Sequence, residues 1–125
     1  MQRFTDLRVW QRSHTLVQEI YKLTMRLPAD ERFGLASQLR RAAVSVPTNV
    51  AGGSKREGYQ DYSRFLNIAE GSLAETEYLM MLCRDLRFVP DAEVTGILAE
   101  ISQIAKMLHN LRLRVELRSR APTKG

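Results

Sequence analysis

The chain has 125 residues, a length that suits one domain with one hydrophobic core. Hydrophobic residues make up 44% of it and charged residues 26%, which is typical of folded soluble proteins and excludes an intrinsically disordered chain. The net charge of +5 permits an anionic partner without proving one. No stretch approaches the roughly 20 apolar residues that cross a bilayer, and the single cysteine, Cys83, allows no internal disulfide. With its polar first residues, the chain is expected to be cytoplasmic.

The first predicted helix runs from about Asp6 to Leu27 and carries two adjoining apolar stripes. They consist of Leu7, Trp10, His14, Val17, Tyr21 and Thr24, and of Val9, Ser13, Leu16, Ile20, Leu23 and Leu27. One broad stripe is enough for a helix that borders one core. The helix is therefore expected to bury a second face, either deep in the domain or against another subunit. The candidate subunit-interface residues are Val9, Trp10, Leu16, Ile20 and Leu23.

The second predicted helix is capped by Asp30 and contains a proline, Pro47. Its helical spacing puts six apolar residues on one face: Leu35, Leu39, Ala42, Ala43, Val46 and Val50. An interior proline costs roughly 3 kcal/mol, but the preceding turn is built from small residues that let a bent backbone pass. We therefore predict one helix kinked at Pro47. The glycines Gly52 and Gly53 add further cost, which indicates a close approach of another element.

The third predicted helix begins near Tyr59, and the fourth begins at Asp91 as its cap. Both show the 3-4 spacing of an amphipathic helix, and no stretch has the alternation of a strand. Short loops between four long helices predict an all-α, antiparallel, up-down-up-down four-helix bundle. We assign residues 1–118 to this single domain and residues 119–125 to a flexible tail.

The sequence offers no recognisable catalytic or metal-binding set. Its two histidines, His14 and His109, do not follow a Glu at the spacing of a di-metal bundle. His14 lies on an apolar stripe, where we expect a core or interface residue, and His109 is expected on a solvated flank. Cys83 falls on a core stripe without a base beside it. The expected protein is not an enzyme and has no metal and no cofactor.

Two local motifs have competing interpretations. The run from Gly52 to Arg56 looks like a phosphate cradle, but it lacks the P-loop spacing and follows a helix, so close packing is the better interpretation. The run from Val44 to Val50 invites comparison with a recognition helix. Its proline and the missing turn glycine count against a helix-turn-helix.

The candidate nucleic-acid-binding residues are Arg40, Arg41, Lys55, Arg56 and Arg64. Arginine suits bidentate contact with phosphate. The alternative for the Arg40–Arg41 pair is a solvated face with ion pairs to acids of the third helix. Those acids would be Asp61, Glu70 or Glu77.

Three motifs carry a resemblance to a known family. They are QLRRAAVSVPTNVA at 38–51, FxDLxVWQ at 4–11 and RFLxIAxGSLxE at 64–75. From about residue 4 to 117 the chain resembles the 23S ribosomal RNA intervening-sequence proteins. The resemblance implies a four-helix bundle that assembles as a homopentamer, and it departs from the family at Gly52, where a Glu is expected. A related bundle is the accessory protein of diversity-generating retroelements, which implies a reverse transcriptase as a protein partner.

We therefore predict a non-enzymatic homo-oligomer that binds RNA or DNA through pooled positive charge without reading sequence. The alternative is a purely structural or protein-interaction oligomer of unknown role, in which the charge serves solubility.

Overall fold

A computed structural model describes residues 3–120 of the chain, which fold into four long helices. They are α1 (Arg8–Thr24), α2 (Leu35–Ser54), α3 (Tyr59–Asp85) and α4 (Asp91–Ser119). Short 3₁₀ turns at Phe4–Asp6 and Ala29–Glu31 precede α1 and α2. Within residues 3–120 there is no strand, so the predicted all-α fold is confirmed.

The helices run antiparallel to their neighbours, because contacts that lie later on one helix lie earlier on the next. Between the α1 segment and α4, Arg12 contacts Glu100 and Arg26 contacts Glu93. Between α2 and α3, Ser45 contacts Ser72 and Gly53 contacts Phe65. Between α3 and α4, Ser63 contacts Glu116 and Glu70 contacts Arg112. Among the described residues, α1 does not pack against α3, nor α2 against α4. The four helices therefore stand at the corners of an up-down-up-down bundle.

The core lies along the bundle axis and takes residues from every helix. Its largest fully covered side chains are Leu16, Ile20, Leu23, Leu39, Val46, Val50, Leu66, Leu73, Met80, Ile101, Ile104 and Leu108. The members on α2 lie on its predicted apolar face, and those on α3 and α4 recur at helical spacing as predicted, so periodicity identified most of the core correctly.

The structure corrects the predicted subunit interface on α1. Val9, Leu16, Ile20 and Leu23 are at most 5% exposed and belong to the core of the single chain. A side chain that its own bundle already covers has no surface left for another subunit. The second stripe of α1 therefore faces the interior of the domain. Trp10 alone among the five stays half-buried, with its ring centroid 5.2 Å from that of Phe4.

Both predicted helix caps and the start of the tail need correction. Asp30 lies in the 3₁₀ turn, and Glu31 instead accepts a hydrogen bond at Oε2 from the backbone N–H of Leu35, at 3.2 Å. Asp91 is the first residue of α4 and not its cap. At this position its negative charge interacts favourably with the helix dipole. Helix α4 continues through Ser119, and the remainder of the predicted tail, residues 121–125, lies outside the described residues.

Helix α2 passes through Pro47 without interruption, as predicted, and Pro47 is buried. Proline removes the backbone donor that would serve the Ala43 carbonyl four residues earlier, and its ring pushes against that turn. The next two carbonyls each accept a side-chain hydrogen bond: Thr48 Oγ1 donates to the Val44 carbonyl at 2.7 Å, and Asn49 Nδ2 donates to the Ser45 carbonyl at 2.8 Å. Because no turn divides this helix, the helix-turn-helix interpretation is wrong. The kink itself stays a prediction.

The predicted close approach occurs at Gly53, inside α2. A Cβ atom built on Gly53 would lie 2.8 Å from Phe65 Cβ and 3.0 Å from Tyr62 Cδ1, both on α3. A Cβ built on Gly52 would lie 3.6 Å from Phe65 Cε1, an ordinary van der Waals distance. The glycine pair is therefore a packing device, and only its second member is sterically required.

We predict that Gly53→Ala lowers the free energy of unfolding by about 1–3 kcal/mol, because the added methyl group overpacks the α2–α3 contact. Gly52→Ala is the matched control and should raise stability by up to about 1 kcal/mol, since alanine favours the helix. Urea denaturation of both variants measures the difference. Equal stability of the two variants would contradict the packing role of Gly53.

Candidate nucleic-acid interface

One end of the bundle carries an excess of positive charge. The starts of α1 and α3 and the ends of α2 and α4 meet there, formed by residues 3–8, 55–64 and 112–120. These segments hold nine Lys or Arg and four Asp or Glu, a net charge of +5 that equals the net charge of the whole chain. Cations in the last turn of a helix are favoured by its dipole. Their convergence at one end comes from the bundle topology.

A cleft of about 700 Å³, the end cleft, opens at this basic end. Its lining is Leu7, Ser54, Arg56, Glu57, Tyr59, Tyr62, Leu111, Arg114, Val115 and Arg118. Three arginines thus face one carboxylate over apolar walls. Burial raises the pKa of the Tyr62 phenol, and the nearby charge of Arg114 opposes that shift. The phenol is therefore a neutral hydrogen-bonding group beside a cation, which suits contact with an anion.

Three of the predicted binding residues lie at the basic end. The guanidinium carbons of Arg56 and Arg64 stand 4.5 and 4.8 Å from the Phe65 ring centroid. Both arginines also share one carboxylate, Asp61, at 3.7 and 2.7 Å. Lys55 is exposed and has no carboxylate within 4.0 Å among the described residues. Two cations on one acid leave this corner with net positive charge.

Arg112 differs from its neighbours on α4 because it is neutralised inside the bundle. It bonds to Glu70 of α3 and, at 2.8 Å, to Glu116, which also accepts from Ser63 Oγ at 3.0 Å. The hydrogen bond that Arg112 donates to Glu70 raises the pKa of Arg112, and the hydrogen bond that Arg112 donates to Glu116 lowers the pKa of Glu116. Arg112 therefore joins α3 to α4 and is not available to a ligand.

Arg40 and Arg41 lie elsewhere, at an open depression of about 380 Å³ between α1 and the start of α2. This arginine–aromatic cleft is lined by Tyr21, Arg32, Phe33, Ser37, Arg40, Arg41 and Val44. Arg40 lies 14 residues before Ser54, the last residue of α2, which is about 21 Å along the helix, and Arg56 follows two residues later. The structure therefore divides the predicted binding residues between two places.

The ion pairs considered for Arg40 and Arg41 do not form. Asp61 binds Arg56 and Arg64, and Glu70 binds Arg112. Arg40 Nε instead donates to Thr24 Oγ1 at 2.7 Å. Among residues 3–120, neither Arg40 nor Arg41 has a carboxylate within 4.0 Å.

Sequence reasoning missed four residues of these two clefts: Arg32, Phe33, Arg114 and Arg118. The helix dipole alone is a sufficient reason for arginines near the end of α4, so their residue type did not single them out. A usable signal was present, because residues 114 and 118 are one turn apart and fall on the same helix face. No local signal distinguished Phe33 from a core residue.

Neither histidine of the described part of the chain belongs to a metal-binding group. In residues 3–120, no three His, Cys, Asp or Glu side chains are grouped so that they could hold a metal. His14 is exposed and stacks on Trp10 with ring centroids 5.1 Å apart, so its placement in the core is wrong. His109 is exposed, as predicted. Within the same residues, no helix has the length and apolarity needed to span a bilayer.

Comparisons with known proteins agree with this architecture. Residues 5–110 match the model of a family described as 23S rRNA-intervening sequence protein. No curated protein matches the sequence. Among solved structures, the chain is similar to a protein of unknown function from the S23 ribosomal protein family of Bacteroides thetaiotaomicron VPI-5482. The TM-score is 0.78 at 23% identity, over 83% of this chain and 94% of that chain, a likeness that shows the fold.

We predict that Cys83 is unreactive in the folded protein. It is fully buried, and burial raises the pKa of its thiol to about 11, so almost no thiolate is present near pH 8. Iodoacetamide should modify the native chain only as fast as it unfolds. In urea the same reagent should rapidly add one group per chain, because Cys83 is the single cysteine. Rapid labelling of native protein would contradict this assignment.

Proposed function

The chain belongs to the family of 23S rRNA-intervening sequence proteins, and from that premise we propose that it is a non-enzymatic, homo-oligomeric bundle that binds RNA or DNA without reading its sequence. The observation that carries the proposal is the excess of five positive charges at one end of the bundle. A polyanion is the ligand class that such a surface attracts.

The cations at the basic end are suited to phosphate because few of them are neutralised. Lys55, Arg114 and Arg118 have no carboxylate within 4.0 Å among the described residues. Guanidinium groups contact phosphate oxygens in bidentate fashion. This arrangement favours backbone contact over sequence readout.

Assembly of several copies would multiply this charge, and we propose a homopentamer, as the resemblance implies. Large apolar side chains remain on the described surface, including Met25 at 77% and Leu117 at 67% exposed. Single apolar groups are normal on a protein surface, so the resemblance carries the pentamer, and these side chains are groups that another copy would cover. A cytoplasmic location and a protein partner such as a reverse transcriptase belong to the same proposal.

We expect static light scattering at micromolar concentration to give a mass near five times the 14.3 kDa chain. The reason is that the exposed apolar groups gain free energy when another copy covers them. A dilution series provides the control, because a specific assembly keeps its mass until it dissociates to monomers. A monomer throughout the series would contradict the oligomer.

We expect the double variant Arg114→Gln and Arg118→Gln to weaken binding of duplex DNA and of structured RNA. It should lower the slope of log affinity against log salt concentration by about 2, one for each lost phosphate contact. Fluorescence anisotropy at several salt concentrations measures both quantities. Both side chains are exposed, so stability should change little.

The matched control is Lys22→Gln with Lys106→Gln, which removes the same charge from exposed positions away from the basic end. This control should leave the salt slope unchanged. If the two double variants behave alike, net charge and not the basic end governs binding. If the unaltered protein binds neither nucleic acid at low salt, the structural or protein-interaction role replaces the proposal.

A further inference from the structure

The arginine–aromatic cleft presents an aromatic ring to solvent among cations. Phe33 is 87% exposed, more than any other large apolar side chain in residues 3–120. The guanidinium carbon of Arg32 lies 5.2 Å from the Phe33 ring centroid. A single exposed apolar residue needs no explanation. Here, however, the ring shares one cleft with Arg32, Arg40 and Arg41, and an aromatic ring among arginines is typical of surfaces that stack nucleic-acid bases.

The cleft lining contains no acid. Arg32, Arg40 and Arg41 have no carboxylate within 4.0 Å among the described residues. Of the two acids in the preceding turn, Glu31 turns its carboxylate to the backbone N–H of Leu35, and Asp30 is not part of the lining. The three positive charges are therefore not cancelled locally, which favours an anionic ligand.

Arg40 is held in place before any ligand arrives. Its Nε donates to Thr24 Oγ1 at 2.7 Å, and Thr24 in turn donates to the Tyr21 carbonyl at 3.0 Å. Its guanidinium carbon also lies 4.6 Å from the Tyr21 ring centroid. These contacts use one donor of the guanidinium and leave its terminal nitrogens for a ligand. A fixed guanidinium loses less conformational freedom on binding a phosphate than a mobile side chain does.

We propose that the arginine–aromatic cleft binds single-stranded nucleic acid, with an unpaired base stacked on Phe33 and adjacent phosphates held by Arg40 and Arg41. A duplex hides its base faces within its own stack, so the ring selects unpaired strands. The basic end, by contrast, contacts phosphates of either form. The inference rests on the proposed function for the class of ligand and adds a second site with its own preference.

The open shape of the depression favours a strand over a free small molecule. Its volume of about 380 Å³ is near the lower bound for pockets that enclose ligands. A strand that crosses the depression needs only one base and its neighbouring phosphates inside it.

The test compares one labelled strand of about 12 nucleotides, mixed in sequence and without self-complementarity, with the same strand annealed to its complement. Anisotropy titrations use the full chain and its Phe33→Ala variant. We expect Phe33→Ala to weaken single-strand binding roughly 10- to 100-fold and to change duplex binding less than about twofold. Phe33→Trp should retain single-strand binding, because it keeps the stacking surface.

Tyr78→Ala is the matched control, since Tyr78 is another exposed aromatic residue, 61% accessible, on α3. It should change neither titration. If the unaltered protein binds both forms and Phe33→Ala binds both equally well, the stacking inference is overturned while the proposed function stands. If the unaltered protein binds neither form, the stacking inference and the proposed function are both overturned.

Light scattering of Phe33→Ala tests the remaining explanation, in which Phe33 lies in a contact between copies of the chain. Unchanged mass together with a selective loss of single-strand binding supports the stacking site. A fall to monomer that accompanies equal loss of both ligands would show that Phe33 covers another copy of the chain, and this would overturn the inference.

Discussion

The close contact of α2 with α3 at Gly53 determines where the basic end can form. Because Gly53 has no side chain, Tyr62 and Phe65 lie directly against the backbone of α2. Phe65 is then both the packing partner of α2 and the ring on which Arg56 and Arg64 rest. The loop between the two helices is short, so the cations that follow α2 stay beside the first turns of α3. Packing and charge placement therefore depend on the same few atoms.

Helical periodicity explains why arginines that are close in sequence have different roles. Residues 112 and 114 point about 200° apart on α4, whereas residues 114 and 118 point about 40° apart. Arg112 accordingly faces α3 and pairs with Glu70, while Arg114 and Arg118 line the end cleft together. An ion pair between helices fixes the register of α4 on α3. The same helix thus positions its other two arginines without neutralising them.

The sequence predicted the helices well because helical spacing is a local property that tertiary contacts mostly reinforce. It could not predict which apolar stripe of α1 faces inward, since a core and a subunit interface select the same residue types. Leu16 and Ile20 proved to be core residues only because α1 packs between α2 and α4. The sequence could not predict the contact partners of Arg40 either, because they depend on how one helix is aligned along another. The end cleft requires four helix ends to converge, which no single segment shows.

The continuity of α2 connects the two clefts. Arg40 and Arg41 lie near the start of this helix, and Arg56 follows its end, so one rigid element carries both groups of cations at a fixed spacing. A helix broken at Pro47 would leave that spacing undefined. Thr48 and Asn49 add side-chain hydrogen bonds to the turn that precedes Pro47, and burial of Pro47 against its neighbours holds the segment in place. Pro47 is therefore accommodated inside α2, although proline ordinarily ends a helix. Because α2 is continuous, the fold fixes the distance between the two clefts.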